Sequence, residues 1–143
     1  MLDPAQLQKI RDEVRKNCKG LFHLGRAHYL FACTVPADQW RQRISRLYYG
    51  AYNVRRAVGL EYDGSFSQDS SDHRKIEGIP DDFPSSATYN IQMKNLRDDR
   101  NLADYSHLAV EADLVRPAND YQQIVAEFID HAQTYLVARG VTL

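Results

Sequence analysis

Arg100, Asp104 and His107 are the residues of this sequence whose types and spacing point most directly to chemistry. In a helix each residue advances by about 100 degrees, so steps of four and three place the three side chains in one narrow stripe. Histidine titrates near neutral pH and can move a proton, whereas arginine stays charged and presents a planar fork to phosphate oxygens. The combination suits phosphodiester cleavage by a ribose 2′-hydroxyl, with the imidazole as acid or base and the guanidinium stabilising the phosphate.

Neighbouring residues are predicted to support this pair. Asn101 can orient a phosphate or the histidine, and Asp104, one turn from both, can hold Arg100 or His107 in position. Toward the N-terminus the same stripe continues with the apolar residues Leu96, Met93 and Tyr89. A cation on an apolar stripe needs an anionic partner, a ligand or a second subunit, because an isolated buried charge is costly.

The same spacing also has an ordinary interpretation. The chain contains thirteen arginines and five histidines, so a loose arginine and histidine spacing is expected about once by chance. An arginine and aspartate pair one turn apart is usually a solvated salt bridge, and a histidine on a helix is usually structural. The spacing by itself therefore leaves both interpretations open.

Composition predicts one ordinary globular domain covering residues 1–143, with 43% apolar and 26% charged residues. The net charge of -1 does not attract a polyanion, so any nucleic-acid binding needs a local patch. No apolar run reaches the roughly 20 residues of a membrane span, and no signal peptide is recognised, so we expect a cytoplasmic protein. Cys18 and Cys33 fall in one predicted helix and are expected to be reduced packing residues.

Helix signals divide the chain into four parts. Asp3 and Pro4 are typical of a helix start, and apolar residues continue at helical spacing to Phe31, although Gly20 and Gly25 weaken the middle. A second start is predicted at Val35 and Pro36, followed by an apolar stripe at positions 40, 44, 47, 48, 51, 54 and 58.

The second half of the chain begins with a long loop, predicted from Glu61 to Pro84 because glycine, serine, aspartate and proline are frequent there. Ser85 or Ser86 can cap a third helix that reaches at least Tyr105. A fourth helix is predicted after Pro117, ending before Gly140. With no alternating strand pattern, we expect an all-α, up-and-down four-helix bundle.

Two segments resemble one known family. The segment from Arg100 to His107 resembles the signature of HEPN domains, in which an arginine followed by a polar residue precedes a histidine, here with six residues between them. The segment from Ser45 to Tyr52 resembles the serine, paired-aromatic and small-residue sequence in the second helix of many bacterial HEPN proteins. The resemblance spans most of the chain, from Pro36 to Arg139, with the long loop as its least matched part.

This resemblance implies a homodimer whose subunits bring their arginine and histidine segments into one composite cleft that cuts RNA without a metal or other cofactor. Arg100 and His107 would be catalytic, and Asn101, Asp104 and Tyr105 would support them. Many such proteins are toxins or defence effectors held by a partner nucleotidyltransferase that acts as an antitoxin. In one toxin branch the partner modifies a tyrosine two residues after the histidine, where this chain has Ala109. Other members are catalytically silent modules that bind a partner protein or a nucleotide, and this alternative stays open.

Three further candidates have structural explanations. Five arginines between Trp40 and Leu60 can bind phosphates, but they lie on different sides of the helix, so a solvated face is expected. The tyrosines at 48, 49 and 52 can stack on bases, but such spacing is more typical of core or dimer contacts. His73 lies in the long loop and is expected to be exposed, and the remaining histidines, His23, His28 and His131, have no companions at metal-ligand spacing.

Overall fold

The computed structural model describes residues 1–64 and 78–143. In these ranges the regular elements are four long helices and one short 3-10 helix at Glu111–Asp113. The long helices are α1 (Pro4–Thr34), α2 (Trp40–Asp63), α3 (Ser86–Tyr105) and α4 (Ala118–Ala138). Helix α2 packs against the other three long helices, and α1 also contacts α4. The predicted all-α fold is confirmed, and the arrangement is compatible with a four-helix bundle.

The start of α1 confirms the prediction from Asp3 and Pro4. The Asp3 carboxylate accepts a hydrogen bond from the Gln6 backbone N–H at 2.8 Å, and the Gln6 side chain accepts one from the Asp3 N–H at 2.9 Å. This reciprocal capping box satisfies two backbone donors that a helix start leaves unpaired. Pro4 occupies the first helical position, where its missing N–H has no cost.

The predicted start of α2 at Val35 and Pro36 is wrong, because α2 begins at Trp40. Val35 instead ends α1, with extended backbone dihedrals and its N–H donating to the Ala32 carbonyl. The Gln39 N–H donates to the Pro36 carbonyl, which closes a tight turn between the helices. A proline after an extended residue suits a turn as well as a first helical turn, so the sequence signal was ambiguous.

The interface of α1 with α2 depends on small residues. Gly25 is buried, and a Cβ atom placed on it would lie 2.6 Å from the Gly50 carbonyl oxygen and 2.6 Å from the Val54 Cγ2 atom. The two backbones therefore approach more closely than any larger residue at position 25 allows. Gly25, expected from the sequence only to weaken α1, is what lets α1 pack on α2.

The long loop begins later than predicted, because α2 continues through Glu61 to Asp63. Gly64 then adopts a left-handed conformation with φ of 70°, as is common just after a helix end. Ser85 occupies the position before α3 with left-handed backbone dihedrals, and its side chain makes no cap hydrogen bond within residues 1–64 and 78–143. His73 lies outside the described residues.

The two cysteines differ in environment. Cys18 is buried in the core, and this burial raises its pKa to about 12. Cys33 is exposed, so its predicted role as a packing residue is wrong, although both thiols are free and lie on α1 as expected. None of the helices in the described ranges has the length and apolar character needed to cross a bilayer.

Candidate active site

Arg100 lies in the next-to-last turn of α3, and only 8% of its surface is exposed. Its guanidinium carbon sits 4.5 Å from the ring centre of Tyr48 on α2, and its Nη1 lies 3.7 Å from an Asp104 carboxylate oxygen one turn further along α3. Its Nε is buried and has no hydrogen-bond partner among the residues that the structure describes. The expectation of a cation on the apolar stripe is thus met, with an aromatic ring and a carboxylate as its neighbours.

Tyr48 forms the floor under Arg100. The ring is fully buried and stacks on Tyr52 with a centroid separation of 5.9 Å. Burial raises the pKa of the Tyr48 hydroxyl well above its usual value, although the charge of Arg100 and a hydrogen bond from it act in the opposite direction. The predicted packing role of the tyrosine cluster is confirmed for Tyr48 and Tyr52, whereas Tyr49 is only half-buried.

His107 is not on the helical stripe that the sequence predicted. Helix α3 ends at Tyr105, where the Ser106 N–H makes the last helical bond to the Leu102 carbonyl. His107 lies in the following turn, which is closed by the Ala109 N–H donating to the Ser106 carbonyl, and its side chain is exposed. Helical spacing therefore does not apply to the step from Asp104 to His107, because α3 ends at Tyr105.

Arg41 holds this turn and was missed by the sequence analysis. Its Nη1 donates to the carbonyls at the end of α3, at 3.3 Å to Leu102, 3.0 Å to Ala103 and 2.9 Å to Ser106. Its Nη2 donates to the Ala109 carbonyl at 2.6 Å. One guanidinium thus satisfies carbonyls that the helix end leaves unpaired, and its charge suits the negative end of the helix dipole.

Two other arginines of α2, Arg43 and Arg55, also correct the expectation of a solvated face. Arg43 is 5% exposed and donates to Asn119 Oδ1 and Gln122 Oε1 of α4, both at 2.7 Å. Arg55 is 9% exposed and donates to the Gly78 carbonyl at 3.4 Å. Their partners are distant in sequence, so helical periodicity gave no indication of them.

The predicted supporting residues occupy different positions. Asp104 contacts Arg100, as expected, and its side chain is 25% exposed. Tyr105 is 75% exposed, with its ring centre 5.9 Å from the Arg100 guanidinium. Asn101 is exposed on α3. Of the five residues, the structure places Asp104 and Tyr105 next to the Arg100 guanidinium.

An open groove of about 670 Å³ adjoins this cluster. It lies between the end of α1, the first turns of α2 and the last turn of α3, and Asp104 belongs to its lining as well as to the Arg100 pair. The other lining residues are Phe31, Arg41, Gln42, Ser45, Arg46, Tyr49 and Ala103. The groove therefore reaches Asp104, the carboxylate neighbour of Arg100.

Asp99 fixes the segment that connects the His107 turn to α4. This fully buried carboxylate accepts hydrogen bonds from the Val115 N–H at 3.0 Å, the Arg116 N–H at 3.3 Å and the Tyr121 hydroxyl at 2.6 Å. Asp99 therefore fixes the chain at Val115 and Arg116, whereas Arg41 fixes it on both sides of His107, at Ser106 and Ala109. Asp99 is a structural residue, since its oxygens are occupied by these donors.

Comparisons with known proteins add no assignment. A scan against protein-family models and searches among curated proteins and solved structures found no match to this chain. Within residues 1–64 and 78–143, no three His, Cys, Asp or Glu side chains come together as candidate metal ligands. The site is accordingly interpreted from its own residues and geometry.

Proposed function

We propose that this chain is a metal-independent endoribonuclease of the HEPN type that acts as a homodimer, with Arg100 and His107 as its catalytic pair. One observation carries the proposal. A charged guanidinium is buried against the Tyr48 ring and beside Asp104, which lines an open groove, and an exposed histidine follows in the next turn. These are the two groups that RNA cleavage by an internal hydroxyl needs.

The surroundings of Arg100 suit an anionic ligand. Burial removes most of the water around the guanidinium, which strengthens its attraction for a nearby charge. Its carboxylate neighbour Asp104 stays 3.7 Å away, beyond hydrogen-bond distance. A phosphate can therefore form shorter, charge-assisted hydrogen bonds than the existing ion pair provides.

In the proposed reaction His107 removes the proton of a ribose 2′-hydroxyl, and the freed oxygen attacks the adjacent phosphorus. The bond from phosphorus to the 5′-oxygen breaks, and that oxygen takes a proton from a second imidazole, His107 of the other subunit. The products are a 2′,3′-cyclic phosphate and a 5′-hydroxyl. Arg100 stabilises the negative charge that gathers on the phosphate oxygens in the transition state.

The surface around His107 supports a second subunit there. Tyr105, Leu108 and Val110 are 75%, 81% and 57% exposed, which is unusual for three large apolar residues so close in sequence. A dimer through this surface would bury them and bring both copies of His107 to one cleft. The resemblance to HEPN toxins adds a proposed context, in which a nucleotidyltransferase-type antitoxin or other defence protein holds the nuclease inactive.

The same apolar surface favours a second candidate, a catalytically silent HEPN module that binds a partner protein or nucleotide. In the described part of the chain, the His107 side chain makes no hydrogen bond, so no neighbouring group orients the imidazole in a single subunit. A binding module needs the surface but not the proton transfer. Only the nuclease candidate requires RNA cleavage, so a cleavage assay separates the two candidates.

The test incubates purified protein with labelled RNA in EDTA. We expect Arg100→Ala and His107→Ala each to slow cleavage by about a hundredfold or more, the usual effect of losing an acid, a base or a charge-stabilising donor. His23→Ala, at another exposed histidine, is the matched control and should cleave like the wild type. Cleavage at the wild-type rate by both variants would refute the nuclease proposal, and intact RNA with the wild type would favour the binding module.

A further inference from the structure

The groove beside Arg100 contains a cation and aromatic surfaces that the proposed reaction does not use. The Arg46 guanidinium lies over the Phe31 ring, 5.1 Å from its centre, and both side chains belong to the groove lining. Phe31 is 53% exposed, so part of its aromatic surface faces solvent. Tyr49 lines the same groove from α2. Aromatic rings and an arginine together are typical of surfaces that bind single-stranded nucleic acid.

The Arg46 guanidinium is held in place by an uncharged side chain, the imidazole of His28. Its Nη1 lies 3.2 Å from His28 Nδ1, and burial, followed by the Arg46 charge, lowers the pKa of His28. The unprotonated Nδ1 can then accept the hydrogen bond. Within residues 1–64 and 78–143, Arg46 forms no ion pair with a carboxylate. Its charge is therefore oriented without being neutralised.

The position of the groove connects it to the proposed reaction. Asp104 lies in the groove lining and also contacts Arg100 at 3.7 Å, so the groove reaches the neighbour of the proposed phosphate-binding arginine. Arg41, the other arginine of the groove, already donates to four backbone carbonyls. Arg46 is thus the lining arginine whose charge is left for a ligand.

We propose that this groove binds the RNA nucleotide adjacent to the one that is cleaved. Arg46 pairs with the phosphate of that nucleotide, and its base stacks on the exposed surface of Phe31, in a groove that Tyr49 also lines. Because every base has a flat aromatic face, the subsite favours an unpaired strand over a duplex and discriminates weakly among bases. The inference rests on the proposed ribonuclease function, because the groove is placed relative to the reacting phosphate.

The experiment measures binding of a short single-stranded RNA with 2′-O-methyl groups, which cannot be cleaved, by fluorescence anisotropy over a range of salt concentrations. Arg46→Gln should weaken binding and lower the slope of log affinity against log salt by about 0.7, the value for one lost contact to a single-strand phosphate. Phe31→Ala should weaken binding about tenfold, within the range for one lost base stack.

The matched controls each remove either an arginine charge or a large apolar side chain from α1, at positions outside the groove. Arg11→Gln and Leu30→Ala change exposed residues that do not line the groove, and both should bind as the wild type does. Sedimentation of Phe31→Ala gives its oligomeric state. Dissociation of this variant with unchanged RNA binding would make Phe31 a contact between copies and overturn the stacking.

The outcomes separate this inference from the proposed function. A wild type that cleaves RNA while the Arg46 and Phe31 variants bind like their controls would overturn the subsite and leave the nuclease standing. Groove-dependent binding by a wild type that does not cleave would support the subsite and overturn the nuclease. A wild type that neither binds the 2′-O-methyl strand nor cleaves the labelled RNA would overturn both.

Discussion

Removing the Arg41 guanidinium should destabilise the fold and loosen the turn that carries His107. In Arg41→Gln, four carbonyls lose a charged donor, those of Leu102, Ala103, Ser106 and Ala109. Three of these bonds share one nitrogen, so two well-directed bonds represent the interaction better than four. The contact of Arg41 with the Trp40 ring, 4.7 Å from guanidinium to ring centre, is lost as well.

The expected magnitude follows from those two bonds. A hydrogen bond to a charged group contributes about 1.5 kcal/mol at the lower end of its range, which suits a half-buried side chain. Two such bonds give a loss of about 3 kcal/mol in the free energy of unfolding. For a chain of this length that loss lowers the midpoint of thermal unfolding by roughly 10 °C.

Two measurements check the prediction. Urea or thermal unfolding followed by circular dichroism gives the global loss, with Arg11→Gln at an exposed arginine as the control that should change by less than about 0.5 kcal/mol. Hydrogen exchange reports on the turn itself, and the amides of Ser106 and Ala109 should exchange faster in Arg41→Gln than in the control. An Arg41→Gln protein as stable as the control, with unchanged exchange at both amides, would refute the role of Arg41.

Three further changes have expected outcomes. Gly25→Ala should destabilise the fold by about 2 kcal/mol or more through forced separation of α1 and α2. Gly20→Ala, whose new Cβ would have no atom of the described residues within 4 Å, should be neutral or stabilising in the same urea titration. Equal effects would contradict the close-approach argument. NMR titration should find the pKa of His28 below its ordinary 6.5 and higher in Arg46→Gln. Since the folded state prefers the neutral ring, the His28 contribution to stability is fully present above pH 6.5 and declines as the pH falls below it. Leu108→Glu should leave the helical circular dichroism spectrum of the folded subunit unchanged, because its side chain is 81% exposed in the single subunit. It should also convert the proposed dimer to monomer in sedimentation, and a dimer that persists would exclude Leu108 from the interface.

The sequence predicted well wherever a local rule decided the outcome. The Asp3 and Pro4 start of α1 and the end of α4 before Gly140 follow from capping chemistry and are both confirmed. The buried side of α3, with Tyr89 and Leu96, follows from helical periodicity and is also confirmed. The start of α2 was misplaced because a proline signal suits both a turn and a helix.

The candidate site shows where local rules stop. Arg100 was expected to be a buried cation and is one, because its place on the apolar stripe depends only on helix geometry. His107 was expected on the same stripe, but α3 ends at Tyr105, and Arg41 of another helix donates to the Ala103 carbonyl in its last turn and to the Ser106 carbonyl just beyond it. No pattern around Arg41 indicates that role, since its partners are more than 60 residues away in sequence.

By itself the sequence determined the number and type of the main elements and the burial of Arg100, since hydrophobic periodicity and end-capping act within a few residues along the chain. Only the tertiary structure decided which arginines are held by other helices, how closely α1 approaches α2 at Gly25, and that the groove of Arg46 and Phe31 lies beside Asp104. The physical reason is that these features depend on side chains and backbone groups brought together from distant positions, where contact geometry rather than residue spacing sets the energy.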